Sequence, residues 1–284
     1  MEVLIAKHAG FCEGVERAYR IALEQTQAGK PVYMLGNLVH NTQVIEKFTK
    51  LGVQTVKTLA DVPAGSGGIL LISAHGVPPT IYDKAKKLGL TIVDTTCSWV
   101  KKAQKIAKQF ADSGRVVIIL GDRGHPEVAG LVGWSGNKAL VYERPEDISE
   151  LDLSSDARIG VLAQTTQPEA RFKQLVSELK KKVKDVKDAD TICGATSKRQ
   201  DAAVELAKQV DLVLVVGDKM SANTKRLNEL CSATGIETHQ IQTVKELNAK
   251  WLQGKSKVGI TAGASTPDRV ISEVVKKLEV ANEK

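Results

Sequence analysis

Apolar residues recur along the chain in two alternating patterns. The first has helical spacing. Val15, Ala18, Ile21 and Ala22 follow Cys12; Val100, Ala103, Ile106, Ala107 and Phe110 follow Cys97; Ala202, Ala203, Leu206 and Val210 follow Cys193. Each set fits the i, i+3, i+4, i+7 spacing of a helix with one buried face, which predicts helices over about 13–27, 98–112 and 194–209. The second pattern is a short unbroken apolar run after each helix: Val32–Leu35, Val116–Leu120 and Leu212–Val216. Such runs suit parallel strands covered on both faces.

The two patterns keep a common register. Each run ends in a glycine (Gly36, Gly121, Gly217) that lies 24 residues after its cysteine. Four residues beyond the glycine stand His40, His125 and Ser221, followed by Asn41, Pro126 and Ala222. Glu127 and Asn223 come one step later in the second and third copies. A second apolar run then appears in each copy, at Ile69–Ile72, 159–162 and 258–260. Each leads into a small polar turn and a proline: Ser73-Ala74-His75-Gly76-Val77-Pro78, Ala163-Gln164-Thr165-Thr166-Gln167-Pro168 and Thr261-Ala262-Gly263-Ala264-Ser265-Thr266-Pro267. The chain therefore reads as three copies of one α/β unit, at about 1–95, 96–190 and 191–284. Strands alternating with helices predict an α/β fold with parallel sheets. Ligands in such folds bind at the carboxyl ends of strands, where all of these residues fall.

Composition narrows the class. Length alone, 284 residues, suggests about two domains, and the repeat replaces that with three units. With 42% hydrophobic and 26% charged residues the chain is of the soluble globular kind. No apolar stretch approaches the roughly 20 residues of a membrane span, so no membrane partner is expected. Residues 1–6 read as a strand rather than a signal peptide, which points to the cytoplasm. The net charge of +7 is spread over interleaved faces such as Glu178, Lys180, Lys181 and Lys182, the pattern of a solvated helix. Aromatics make up only 4%, so a stacking platform for nucleic acid is not expected.

Four cysteines in a chain of this length do not make a disulfide scaffold. The plain explanation is buried free thiols, and it suits Cys231, which has no counterpart in the repeat. Equal spacing and strand-end placement set Cys12, Cys97 and Cys193 apart as three convergent thiolates, a metal site. Thiolates favour soft ions and iron–sulfur clusters. A cubane cluster with three protein ligands leaves one iron open to substrate, which means Lewis-acid or redox chemistry. Zinc remains an alternative. The strand-end turns add His40, His75, His125, Thr165, Ser221, Asn223 and Ser265, a set suited to a phosphate or diphosphate with helix N-termini behind it. Turn and N-cap chemistry favours Ser, Thr and Asn in any case. His8 and His239 fall outside the set. Glu127 is the one carboxylate in these slots. It would repel an anion but serves as a proton donor; the competing explanation is a first-turn glutamate that offsets the helix dipole.

Eight ordered segments now carry a resemblance. They are Gly10-Phe11-Cys12-Glu13-Gly14-Val15-Glu16-Arg17-Ala18, Leu38-Val39-His40-Asn41, Ser73-Ala74-His75-Gly76-Val77, Asp94-Thr95-Thr96-Cys97, Gly124-His125-Pro126-Glu127-Val128, Gln164-Thr165-Thr166, Asp190-Thr191-Ile192-Cys193 and Thr261-Ala262-Gly263-Ala264-Ser265. Together they span essentially the whole chain, which resembles the 4-hydroxy-3-methylbut-2-enyl diphosphate reductases, last enzymes of the methylerythritol phosphate route to isoprenoids. The resemblance implies a trefoil-like α/β fold around a central [4Fe–4S] cluster held by Cys12, Cys97 and Cys193, with one open iron that takes the allylic hydroxyl of the substrate. It implies removal of that hydroxyl as water by two electrons and protons, with isopentenyl and dimethylallyl diphosphate as products. It implies an external one-electron donor such as ferredoxin or flavodoxin. Diphosphate contacts map to His40, His75, Ser221, Asn223 and Ser265, with Ala222 contributing its backbone. His125, Glu127 and Thr165 map to the hydroxyl and proton-delivery side, where Thr166 rivals Thr165. Three local departures are Glu13 and Ser98, each directly after a cysteine, and Ala222 in place of the middle serine of a Ser-Ser-Asn run. Two other readings remain: a quinolinate synthase-like dehydratase on the same plan, and a non-catalytic iron–sulfur sensor.

Overall fold

The computed structural model describes residues 1–152 and 154–282. Leu153 in the second expected repeat and the last two residues of the third lie outside the described residues. The strands are β1 (Glu2–Ile5), β2 (Val32–Leu35), β3 (Gln54–Val56), β4 (Ile69–Ile72), β5 (Thr91–Asp94) and β6 (Val116–Leu120). They continue with β7 (Leu140–Tyr142), β8 (Arg158–Ala163), β9 (Asp185–Asp188), β10 (Leu212–Val216), β11 (Glu237–Ile241) and β12 (Lys257–Ala262). The helices are α1 (Glu13–Gln25), α2 (Thr42–Lys50), α3 (Pro79–Lys87), α4 (Ser98–Asp112) and α5 (Pro126–Trp134). After them come α6 (Glu169–Lys182), α7 (Gly194–Ala207), α8 (Ala222–Ala233) and α9 (Asp268–Asn282).

The strands form three parallel four-stranded sheets, so the chain is of the α/β class. Their orders are β3-β2-β4-β5, β7-β6-β8-β9 and β11-β10-β12-β1. The pattern is the same three times, except that the fourth strand of the last sheet comes from the start of the chain. Glu2 to Ile5 of β1 pair with Lys257 to Ile260 of β12. Each cysteine follows the fourth strand of a sheet: Cys12 follows β1, Cys97 follows β5 and Cys193 follows β9.

Contacts group the chain into two compact units, a coarser grouping than the three expected repeats. The first contains residues 1–16, 40–44 and 194–284, and the second contains 17–39 and 45–193. In the first unit, one core sets Val270, Val274 and Leu278 of α9 against Leu214, Val258 and Ile260. A second core sets Ala203 and Leu206 of α7 and Leu227 of α8 against Val213 and Val215. Parallel strands covered on both faces need such continuous apolar runs, and β10 is buried at every residue. In the second unit, Phe172, Leu175 and Leu179 of α6 cover one face of the β6–β8 sheet, and Ala103, Ala107 and Phe110 of α4 with Val128 and Leu131 of α5 cover the other.

The helix behind a cysteine is set by a close approach. A Cβ added at Gly160 in β8 would lie 2.4 Å from the Phe110 ring of α4, and one at Gly259 in β12 would lie 2.9 Å from Leu206 of α7. Only glycine lets these helices lie so near the strands. Their N-termini, with Cys97 and Cys193, are placed accordingly.

Candidate active site

Cys12, Cys97 and Cys193 each stand immediately before a helix, at α1, α4 and α7. Each also donates its backbone N–H to the turn after a central strand: Cys12 to the Ala264 carbonyl at 3.2 Å, Cys97 to Ala74 at 3.0 Å, Cys193 to Thr165 at 3.0 Å. These three acceptors occupy one position of the repeated turn. The threonine two residues before the cysteine adds a pin in two copies. Thr95 Oγ1 donates to the Ile72 carbonyl at 2.6 Å, and Thr191 Oγ1 donates to the Ala163 carbonyl. The three side chains are part-exposed and none forms a disulfide, so each thiol is free to ligate a soft metal. Cys231 differs. It is fully buried against Ala203 and Leu227, and burial pushes its thiol up to about 11, an inert structural cysteine. Glu13 and Ser98, the departures after two cysteines, are exposed.

In the second unit, β6 ends at Gly121 and the loop returns through His125 into α5. His125 caps this helix: its Nδ1 accepts the Glu127 N–H at 3.1 Å. Glu127 is 2% exposed. Its carboxylate accepts the Thr165 backbone N–H at 2.7 Å and the Thr165 hydroxyl at 2.9 Å. Burial pushes this carboxyl up to about 7, with help from the Asp122 charge, while the two Thr165 bonds pull the other way. A carboxyl poised there exists in both protonation states near neutral pH, as a general acid must. The hydroxyl bonded to it is Thr165, not Thr166. The rings of His75 and His125 meet edge to face, with centroids 5.3 Å apart.

In the first unit, Ser221 caps α8 and accepts the Thr224 N–H at 3.3 Å. Asn223 is 4% exposed and accepts the Ala264 N–H on Oδ1 at 3.0 Å. Its Nδ2, buried, has no hydrogen-bond partner among the described residues. A buried donor left so costs about 1–3 kcal/mol unless a ligand satisfies it. Ser265 Oγ donates to the His40 carbonyl at 2.9 Å. Burial pushes the His40 imidazole down, and the Asp218 charge opposes that. Ala222 is the first residue of α8 and is nearly buried. A helix N-terminus, an unmet amide donor and two hydroxyls make this a corner for an anion.

Sequence reasoning did not single out Thr95, Thr191 or Asp218. The first two had a signal in the shared Asp-Thr-x-Cys spacing. Asp218 had one in its place directly after a strand-ending glycine, where Asp122 stands in the second copy.

With this geometry in hand, the likeness to known proteins is specific. Residues 3–279 match the LytB protein family, and the chain belongs to it. A 4-hydroxy-3-methylbut-2-enyl diphosphate reductase of Pelobacter propionicus is 42% identical over 284 residues, all of both chains. One of Dehalococcoides mccartyi is 45% identical over 285 residues, 98% of each. A solved structure of the Plasmodium falciparum E-1-hydroxy-2-methyl-but-2-enyl-4-diphosphate reductase superimposes with a TM-score of 0.91 at 30% identity, covering 98% of this chain and 87% of that one. A second solved structure, of an (E)-4-hydroxy-3-methyl-but-2-enyl diphosphate reductase, is 38% identical with a TM-score of 0.69, covering 98% and 99%. The chain is thus an oxidoreductase of this family, and the dehydratase and sensor alternatives fall away. Among the described residues no helix is long and apolar enough to cross a membrane.

Proposed function

We propose that the chain reductively removes the allylic hydroxyl of 4-hydroxy-3-methylbut-2-enyl diphosphate, the last step of the methylerythritol phosphate route, in the cytoplasm. The observation that carries this reading is Glu127, a carboxyl buried against Thr165 and raised to about 7. The net change replaces a C–O bond by a C–H bond: two electrons and two protons enter, and water leaves. Isopentenyl and dimethylallyl diphosphate arise from protonation at either end of the allyl system.

Cys12, Cys97 and Cys193 fit a [4Fe–4S] cluster with three protein ligands, since each is a part-exposed thiol at a helix N-terminus with its backbone N–H already bonded. When bound, such a cluster supplies electrons singly and, through the iron without a protein ligand, Lewis-acid polarisation of the hydroxyl. The electrons come from an external donor such as ferredoxin or flavodoxin. The protein's own groups do the rest. His40, His75, Ser221, Asn223, Ser265 and the backbone at Ala222 bind the diphosphate. Glu127 holds the proton for the departing oxygen, and Thr165 or His125 relays it.

Anaerobic purification with iron and sulfide analysis tests the cofactor, followed by titration with the hydroxylated allylic diphosphate. About four irons and four sulfides per chain, with a spectral change on titration, is the expected result. A colourless protein holding stoichiometric zinc would end this reading.

A further inference from the structure

The segment 40–44 belongs to the first unit, whereas the residues on both sides of it belong to the second. Hydrogen bonds tie it to the rest of its unit. Asp218 Oδ2 accepts the Thr42 N–H at 2.8 Å and the Thr42 hydroxyl at 2.6 Å. Ser265 donates to the His40 carbonyl at 2.9 Å. Gln43 Nε2 reaches the Gln242 carbonyl at a longer 3.3 Å. The bond from Val44 N–H to Asn41 Oδ1 is internal to the segment.

The two anchors at Ser265 and Asp218 differ in kind. Ser265 has one hydroxyl proton. Here it goes to the His40 carbonyl, yet the proposed function gives the same hydroxyl to the diphosphate. It cannot serve both, so ligand binding removes one anchor from the segment that carries His40. Asp218 meets no such conflict, because a carboxylate acceptor has nothing to offer an anion. It is 3% exposed, and its other oxygen accepts the Met220 N–H at 2.9 Å. Burial alone would raise its pKa, but the Thr42 and Met220 bonds outweigh burial and hold it below the usual carboxylate range. It is charged and fully engaged at neutral pH.

We propose that Asp218 is a positioning residue: through Thr42 it latches segment 40–44, so that His40 stays placed when the Ser265 hydroxyl turns to the ligand. The link to ligand rests on the proposed function; the latch itself rests on the two bonds to Thr42.

The test is amide hydrogen exchange on the full chain, with and without inorganic diphosphate, alongside KM and kcat for the holoenzyme. In Asp218→Asn one oxygen cannot serve both Thr42 and Met220. Exchange across 40–44 is expected to speed up at least about tenfold, with α8 and β12 unchanged. Inorganic diphosphate should loosen the segment further in this variant and leave it protected in the wild type. KM should rise about tenfold while kcat moves less than about threefold. Thr42→Val, which keeps the backbone bond, should fall between, and Thr42→Ser should behave as wild type. Unchanged exchange in Asp218→Asn would overturn the latch, and so would faster exchange spread equally over α8 and β12. Should Asp218→Asn fail to fold, Thr42→Val is read by the same criteria. If the wild type turns over no substrate, the proposed function fails while the exchange result still decides the latch.

Discussion

Glu127 and Asn223 occupy the same position in two copies of one unit, each two residues into the helix that follows a strand-ending glycine. Both reach across to equivalent backbone groups: Glu127 accepts the Thr165 N–H and Asn223 accepts the Ala264 N–H. The scaffold asks each for an oxygen at that point. What differs is the other half of the side chain. In Glu127 it is a second oxygen bonded to the Thr165 hydroxyl, and the group titrates near neutrality. In Asn223 it is a buried amide donor that cannot titrate and has no hydrogen-bond partner among the described residues. In the proposed function, exchange of a carboxylate for an amide makes one slot of the repeated fold a proton source and its counterpart an anion receptor.

That comparison breaks most sharply at Glu127→Gln. Gln keeps an acceptor for the Thr165 N–H, so the corner should hold its shape and bind diphosphate normally. Turnover should fall by about 10²–10⁴, the usual worth of a general acid, measured against tight binding of the unreacted substrate. Retained turnover would remove Glu127 from the chemistry. The wild type should lose activity as pH rises through about 7, where the carboxyl gives up its proton. Stability runs the same way. A folded pKa raised above the usual value near 4.5 stabilises the protonated form, so stability declines as pH climbs from there through about 7. Glu127→Gln escapes that decline and at pH 8 should be more stable to denaturant than the wild type, by up to about 3 kcal/mol.

The reverse exchange comes next. Asn223→Asp puts a second carboxylate in the anion corner and removes the unmet donor. KM should rise about a hundredfold, because opposed like charges cost several kcal/mol, with kcat changed less; isothermal titration with inorganic diphosphate would show the same loss. Thr165→Ala is milder. The backbone N–H stays, but a hydroxyl that favours the charged carboxylate is gone, so the alkaline limb of the pH–rate profile should move upward as turnover drops about tenfold. An unmoved limb would mean that Thr165 does not set the Glu127 proton affinity. The smallest effect is expected from Ala222→Ser. If position 222 works through its backbone, KM should stay within about threefold of the wild type.

How much of this was legible in the sequence depends on where a residue lies in its sheet. The central strands β2, β4, β6, β8, β10 and β12 stand out as apolar runs because they are buried on both faces, and the helices after the cysteines show their 3.6-residue period. The flanking strands are another matter. β9 reads Asp-Val-Lys-Asp and β3 Gln-Thr-Val, both mostly part-exposed or exposed. Pairing with a buried neighbour makes them strands, and no local pattern announces it. The cysteines, His125, Glu127 and Asn223 were legible because repetition marks them. Asp218 was not, because its role lies in a bond to Thr42, 176 positions away. Which threonine of the Thr165-Thr166 pair meets Glu127 was likewise a question of side-chain direction, beyond what spacing can tell.

The pairing of β1 with β12 sets a schedule for making the protein. Residues 2–5 leave the ribosome about 255 residues ahead of their partner at 257–260. At roughly 5–20 residues per second that interval is on the order of tens of seconds. Throughout it, β1 lacks the strand it pairs with, and Cys12 lacks the Ala264 carbonyl that receives its N–H. Two of the three thiols can be anchored by the segments around them while synthesis continues. Cys12 is made before Cys97 and Cys193 and anchored after both, so a chain that stops short of Ala264 should hold at most two of these three cysteines in place.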